Sequence, residues 1–368
     1  MKSIVIKKAV SILTALSICQ GVAGVVVSAE QSGFSLSNEK ADSMLNSMDG
    51  DLRDTIEYII NDKQIGDVID THDLLDVDGN TIAYCWDFDC GYIIFNDVSI
   101  IEFSDENESP YAEVTDDSYY CGVSTYYTKD DSGFVSLMTD NVVDYDKVTA
   151  ESYSFTEQMS AANVEVMSYE PGVELYSGYD VVTNAYLPGV TRRLNMNTDN
   201  TCGSLAAEIM LYYFKDYIND NYVNDYLASD VWRFYDYLKK RLEPEHDMSD
   251  NYGGSNDTAL ATRLRTYLPY IPKDKTGLKL GVEITYGNAW GYALHLIRDE
   301  KIPMMVGVSN EPTYGGHWLV GYGVYMTGPN AKNDPLTNYY ISNDGQGRLG
   351  VYINKIYVCL LYTSPSPR

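Results

Sequence analysis

The amino-acid sequence predicts an α+β protein in two parts, a small α+β unit followed by a larger one in which helices come first and an antiparallel sheet second. Three observations carry this. Apolar residues recur at three- and four-residue steps over residues 44–59 and again after Cys202, the spacing of amphipathic helices. Short β-type runs bounded by turn residues fill residues 68–137. Four more such runs, separated by Gly and Asn turns, fill residues 304–353.

The chain has 368 residues, 53 acidic against 26 basic, and a formal charge of −27. Binding nucleic acid rests on Lys and Arg neutralising phosphates, so that class of partner is excluded as an expectation. Lys2, Lys7 and Lys8 precede an apolar run from Ala9 to Val27 that ends in Val-Ser-Ala, the pattern of an export signal cut after Ala29. The expected location is therefore secreted, outside the cell or on its surface, with no membrane contact once the signal is gone. An uncleaved anchor is the alternative, since the run nearly reaches the ~20 residues that cross a bilayer. A lipid attached at Cys19 is set aside, because Ile18 occupies the position where a small residue is required. About 340 residues then remain, room for two domains of roughly 100 to 200 residues each.

In the first part, Met44, Leu45, Met48, Leu52, Ile56 and Ile59 predict one or two helices. Strands are predicted at Thr81 to Trp86, Gly91 to Phe95, Ile100 to Phe103 and Gly133 to Met138. Asp76-Val77-Asp78-Gly79-Asn80 lacks the spacing of a calcium-binding loop and reads as a hairpin turn. Residues 139–178 are acidic, weakly patterned and contain Pro171-Gly172, so they read as a linker or processing region. Cys85, Cys90 and Cys121 lie in this part, where an oxidising compartment could join two of them, Cys85 and Cys90 being nearest in sequence.

The second part spans residues 179–358. Asn200-Thr201-Cys202-Gly203 opens a helix running to about Ile218, with Leu205, Ile209, Tyr212, Tyr213 and Tyr217 along its apolar face. Helices follow at Val223 to Arg241, Thr258 to Tyr267 and Ala289 to Asp299, with a strand at Leu278 to Tyr286. Strands are predicted at Met304 to Val308, His317 to Met326, Asn338 to Ser342 and Leu349 to Ile353. Residues 359–368 (CLLYTSPSPR) depart from the Tyr-, Asn- and Asp-rich style before them, look like translated sequencing-adaptor read-through, and are left out of the expected fold.

Chemistry centres on Cys202. A thiol where a chain turns into a helix meets unpaired N–H groups and the positive end of the helix dipole, which favour the thiolate. The same N–H groups can hold an oxygen that turns negative when a carbonyl is attacked. A small cysteine packed under a helix is the bland reading. The thiol requires a base, and the second part holds three histidines. His246 follows Pro244 in an acidic loop, and His295 lies within a helical run; neither is aimed. His317 follows Gly315-Gly316, opens an apolar strand and is the candidate base. Asn343 and Asp344, at the end of another strand, offer an amide or a carboxylate to orient its far nitrogen.

These segments carry a resemblance. Cys202-Gly203-Ser204-Leu205-Ala206-Ala207, Gly315-Gly316-His317-Trp318-Leu319-Val320-Gly321-Tyr322-Gly323 and Tyr340-Ile341-Ser342-Asn343-Asp344-Gly345-Gln346-Gly347 resemble papain-like bacterial cysteine peptidases of the streptopain and bacteriocin-processing type. The resemblance covers residues 179–358 and implies a papain-like fold, with Cys202 as nucleophile, His317 as base and Asn343 as orienter, no cofactor and no metal. It implies a protein or peptide substrate. Gly91 to Phe95 and Ile101 to Glu106 resemble strands of streptopain-type pro-domains, which implies that residues 30–138 are a propeptide able to inhibit the cleft; a permanent accessory domain is the alternative. The sequence departs from the family at Ser204, where Pro is common, and at Gln346, where Trp is common. It departs again at Met196, where the oxyanion-hole Gln is expected, leaving the nearby Asn197 as candidate donor. Rival readings keep the scaffold and change the role: a cell-wall amide hydrolase or acyl transferase, or a binding module without catalysis.

Overall fold

The computed structural model describes residues 36–168, 184–187, 201–242, 260, 262–264, 266, 283–286, 290–308, 317–327, 337–358 and 360–363. The export segment, Asn197, His246, Gly315-Gly316 and most of the helix expected at 258–267 lie outside them.

The first part opens with helices α1 (Glu39–Ser47) and α2 (Gly50–Lys63). Asn38 and Asp49 cap them by accepting backbone N–H bonds, the role short polar side chains play at helix starts. Strands β1 (Val68–Leu75), β2 (Thr81–Phe88), β3 (Gly91–Phe95) and β4 (Ile100–Ser104) then form an antiparallel meander. The β1–β2 connection is the expected hairpin turn: Asp76 Oδ1 accepts the N–H groups of Asp78 (2.9 Å) and Asn80 (2.8 Å), and Gly79 takes φ +84°. Gly91 is required where it stands, because a Cβ there would lie 2.1 Å from the Ser104 carbonyl oxygen. Strands β5 (Ser118–Tyr120), β6 (Tyr126–Asp130), β7 (Gly133–Ser136) and β8 (Val142–Val143) extend the sheet, β5 running parallel to β1.

Two expectations for this part change. Residues 145–168 are a 24-residue helix, α3 (Tyr145–Ser168), where a linker was expected. Its buried side chains Val148, Ser152, Phe155, Met159 and Ala162 fall at alternating steps of four and three, a helical stripe thinned by one serine and so easily overlooked among acidic neighbours. Cys85, Cys90 and Cys121 are free thiols, so no bridge joins Cys85 to Cys90. The Cys85 sulfur is instead buried 3.3 Å from Asp87 Oδ1 and 3.3 Å from Ser109 Oγ, and burial pushes its thiol pKa up.

The second part begins with β9 (Asn184–Tyr186) and the central helix α4 (Cys202–Tyr217), whose first 13 residues are all buried. A helix buried on every side belongs in a core, and α4 packs against later strands and against a helix. The expected helix from Val223 is broken into α5 (Asp225–Ala228) and α6 (Val231–Leu242), each with an Asn or Asp side chain bonded to its opening N–H groups. Next come β10 (Glu283–Tyr286) and α7 (Trp290–His295), which passes into a π-turn at Leu296–Glu300 and stops at Lys301 in the left-handed conformation. Strands β11 (Met304–Val308), β12 (His317–Met326), β13 (Asn338–Asn343) and β14 (Val351–Asn354) pair antiparallel in chain order. A last strand, β15 (Leu360–Thr363), inserts between β10 and β11, so part of the tail left out of the expected fold pairs within it.

Among the described residues all strands belong to one 15-stranded mixed sheet, which makes the protein α+β. The two parts are not separate sheets. Strand β14 pairs with β4, placing Tyr352 opposite Phe103 and Ile353 opposite Glu102. Phe103 stacks on Tyr352 at 4.3 Å between ring centres and meets the edges of Tyr339 and Tyr325 at 5.1 and 5.9 Å. Tyr325 donates to Asp62 (2.7 Å), and Lys63 donates to the Tyr352 hydroxyl (2.9 Å). One apolar core therefore runs from Leu36 to Val358. Phe103→Ala should cost about 3–5 kcal/mol. Urea unfolding followed by fluorescence and far-UV circular dichroism should show one shifted, coincident transition; two separate transitions would contradict the shared core.

Candidate active site

Cys202 is the first residue of α4 and is buried, with 7% of its surface exposed. The residue before it, Thr201, makes no side-chain capping bond to the helix; its hydroxyl is turned to the hydroxyl of Tyr235 on α6. The positive end of a helix dipole thus lies at the sulfur.

His317 is the first residue of β12, the strand packed beneath α4. Its Nε2 lies 3.0 Å from the backbone carbonyl oxygen of Asp344. A carbonyl only accepts, so Nε2 carries the proton and a neutral ring has Nδ1 as its basic nitrogen. Burial lowers the His317 pKa; the Asp344 carbonyl bond and the Asp344 charge oppose it, while the charges of Lys147 and Arg348 act with burial. The ring is thereby kept as a neutral acceptor near pH 7.

The carbonyl that holds His317 belongs to a turn braced by several side-chain hydrogen bonds. The Asp344 carboxylate accepts from the N–H groups of Gln346 (2.8 Å) and Arg348 (3.0 Å) and from Arg348 Nε (2.7 Å). Asn343 Oδ1 accepts the Gly345 N–H at 2.9 Å. Asn343 Oδ1 thus braces the turn, and the main chain of the next residue meets the imidazole. Gly345 has φ +67°, and a Cβ on it would sit 3.0 Å from Leu205 Cδ2. Leu205 is three residues beyond Cys202, about one helical turn. The turn that fixes the histidine is thus seated on the first turn of the cysteine's helix.

Cys202 accordingly lies on α4, which packs on the strand that carries His317, β12, and Asn343 lies on β13, which pairs with β12. Asn197 lies outside the described residues. Among the described residues no group of three or more His, Cys, Asp and Glu side chains is placed to hold a metal ion.

Sequence reasoning missed the residues behind the turn. Arg348, at the end of it, is largely shielded, its side chain 12% exposed, with Nη2 2.9 Å from the Tyr126 hydroxyl and Nη1 3.3 Å from the Tyr92 hydroxyl. Tyr126 in turn donates to both oxygens of Glu102 at 2.8 and 3.0 Å, and Tyr120 donates at 3.2 Å. Burial raises the Glu102 pKa to about 7 against the lowering pull of Arg348 and the tyrosine hydroxyls. The signal was present: Glu102 is a lone charge in the otherwise uncharged run Ile100–Ser104. Gly345→Ala would force a left-handed backbone onto a residue with a side chain and press it into Leu205. It should lower alkylation of Cys202 by iodoacetamide about tenfold while far-UV circular dichroism is retained. An unchanged rate would detach this turn from the site.

No family model matches the chain, and no curated protein matches it. Among solved structures it is similar to UfSP from C. elegans, at 14% identity and a TM-score of 0.28 over 54% of this chain and 37% of that one. The chain thus spans little more than a third of that protein's length, and a likeness this slight carries neither fold nor activity.

Proposed function

We propose that the protein is a cysteine peptidase of papain-like type, hydrolysing peptide bonds through a thioester on Cys202. One observation supports this above the rest: the Asp344 carbonyl that protonically fixes His317 sits in a turn packed on Leu205, so base and nucleophile are referenced to the same helix end. His317 Nδ1 takes the thiol proton, and the sulfur attacks the substrate carbonyl carbon. The oxygen, now negative, is held by N–H groups at the start of α4, with Asn197 as a further donor. The imidazolium gives its proton to the leaving amine as the C–N bond breaks. Water, deprotonated by Nδ1, then cleaves the thioester and restores the thiol. No cofactor enters this sequence. Export after removal of residues 1–29 completes the reading, and protein or peptide outside the cell is the substrate class.

The rival amide hydrolase and acyl transferase share the first half of this chemistry and differ in what is cut or what accepts the acyl group. A binding module would not need an activated thiol. Intact-mass measurement of iodoacetamide labelling over pH 5 to 8 separates an activated thiol from the binding module. At pH 6 Cys202 should react about tenfold faster than in His317→Ala, because an ordinary thiol titrates near ~8.5 and is scarcely ionised there. The rate should fall as the pH drops through the His317 value, which burial places below 6.5. Equal rates in the two proteins would leave only the binding module.

A further inference from the structure

The N-terminal part of a secreted peptidase is commonly expected to cover the site and leave. Here its buried side chains run to the histidine. The carboxylate of Glu102 on β4 accepts from the Tyr126 hydroxyl on β6; that hydroxyl accepts from Arg348 Nη2; Arg348 Nε donates to the Asp344 carboxylate; and the Asp344 carbonyl accepts from His317 Nε2. Every bond in this chain is 2.7–3.0 Å, and Glu102 and the Asp344 side chain are both fully buried. Tyr92 on β3 gives Arg348 a second hydroxyl.

Resting on the peptidase reading, we propose that residues 36–168 are a permanent part of the catalytic unit, in which Tyr126 and Glu102 act through Arg348 and Asp344 as positioning residues for His317. The physical case is that of charge with nowhere else to go. A guanidinium keeps its proton under all ordinary conditions. Burying one without partners costs several kcal/mol, so Arg348 must hold its acceptors. Two of those acceptors, the Tyr92 and Tyr126 hydroxyls, come from the N-terminal part. Removing that part would expose the β4-facing edge of β14 and leave Arg348 to water. Arg348 could then swing from Asp344, and the turn that aims the imidazole would lose the bond that closes it. Strand pairing and the aromatic cluster around Phe103 oppose such release. Excision of this part is therefore inactivating.

The test is the pH profile of Cys202 alkylation in the full chain, compared among wild type, Tyr126→Phe and Tyr120→Phe. Both substitutions remove one hydroxyl from Glu102, but only Tyr126 also touches Arg348. The charged groups acting on the imidazole are Asp344, Lys147 and Arg348, and neither substitution alters them directly. Tyr126→Phe should slow alkylation at pH 6 about fivefold and shift the midpoint of the profile, whereas Tyr120→Phe should lower stability and leave the profile in place. Coincident profiles for Tyr126→Phe and wild type would overturn the positioning role while leaving the peptidase reading standing. A wild type no faster than His317→Ala would overturn both. Should Tyr126→Phe fail to fold, Tyr92→Phe removes the other hydroxyl on Arg348 and is expected to shift the profile in the same direction.

Discussion

Arg348 is the constraint around which the molecule is arranged. It lies at the end of the turn that follows β13, largely shielded among groups from both parts of the chain: the Asp344 carboxylate on its own turn, and the Tyr92 and Tyr126 hydroxyls from the first sheet region. Such a cation is tolerated in a core only where acceptors are fixed in advance, because losing one partner leaves an uncompensated charge. The turn of residues 343–348 and strands β3, β4 and β6 must therefore be correct together. Pairing of β4 with β14 delivers that joint placement, and the stack of Phe103 on Tyr352 secures it from the apolar side.

The site inherits this rigidity. In the arrangement expected from the family resemblance, a side-chain amide orients the imidazole; here the oxygen at His317 Nε2 is a main-chain carbonyl. A main-chain acceptor cannot rotate away on its own torsions, so its direction is set entirely by the turn. That turn is closed on one side by Asp344 and Arg348, on another by Asn343 and Gly345, and is seated on Leu205. Preorganisation of this kind costs nothing further when a reacting group arrives. Burial of the ring adds the chemical consequence, since a lowered His317 pKa leaves a neutral acceptor at the start of β12.

Much of this was legible in the sequence where a single local rule decided the outcome. The turn of Asp76–Asn80, the strands of the second part and the helix opening at Cys202 follow from spacing and turn chemistry alone. What escaped depended on partners far along the chain. The stripe of α3 was obscured because its polar member, Ser152, reaches across to the Val77 N–H, and no local pattern announces that bond. The continuity of β4 with β14 joins residues some 250 positions apart and has no sequence signature. Cys85 and Cys90 looked like a bridge because they are close in sequence, yet Cys85 is buried facing Asp87 and Ser109. Which oxygen reaches the imidazole Nε2 is a matter of turn geometry, and no motif announces it.

The central claim, that the Asp344 carbonyl fixes the proton on His317 Nε2 and leaves Nδ1 as the base, is most directly tested by ¹⁵N NMR. The probe is the full-length Cys202→Ala protein carrying ring-labelled histidine, with the signal assigned by its loss in His317→Gln. At pH 7 the account requires a neutral imidazole with its hydrogen on Nε2. A ring protonated on Nδ1 alone, or two tautomers in rapid exchange, would contradict it.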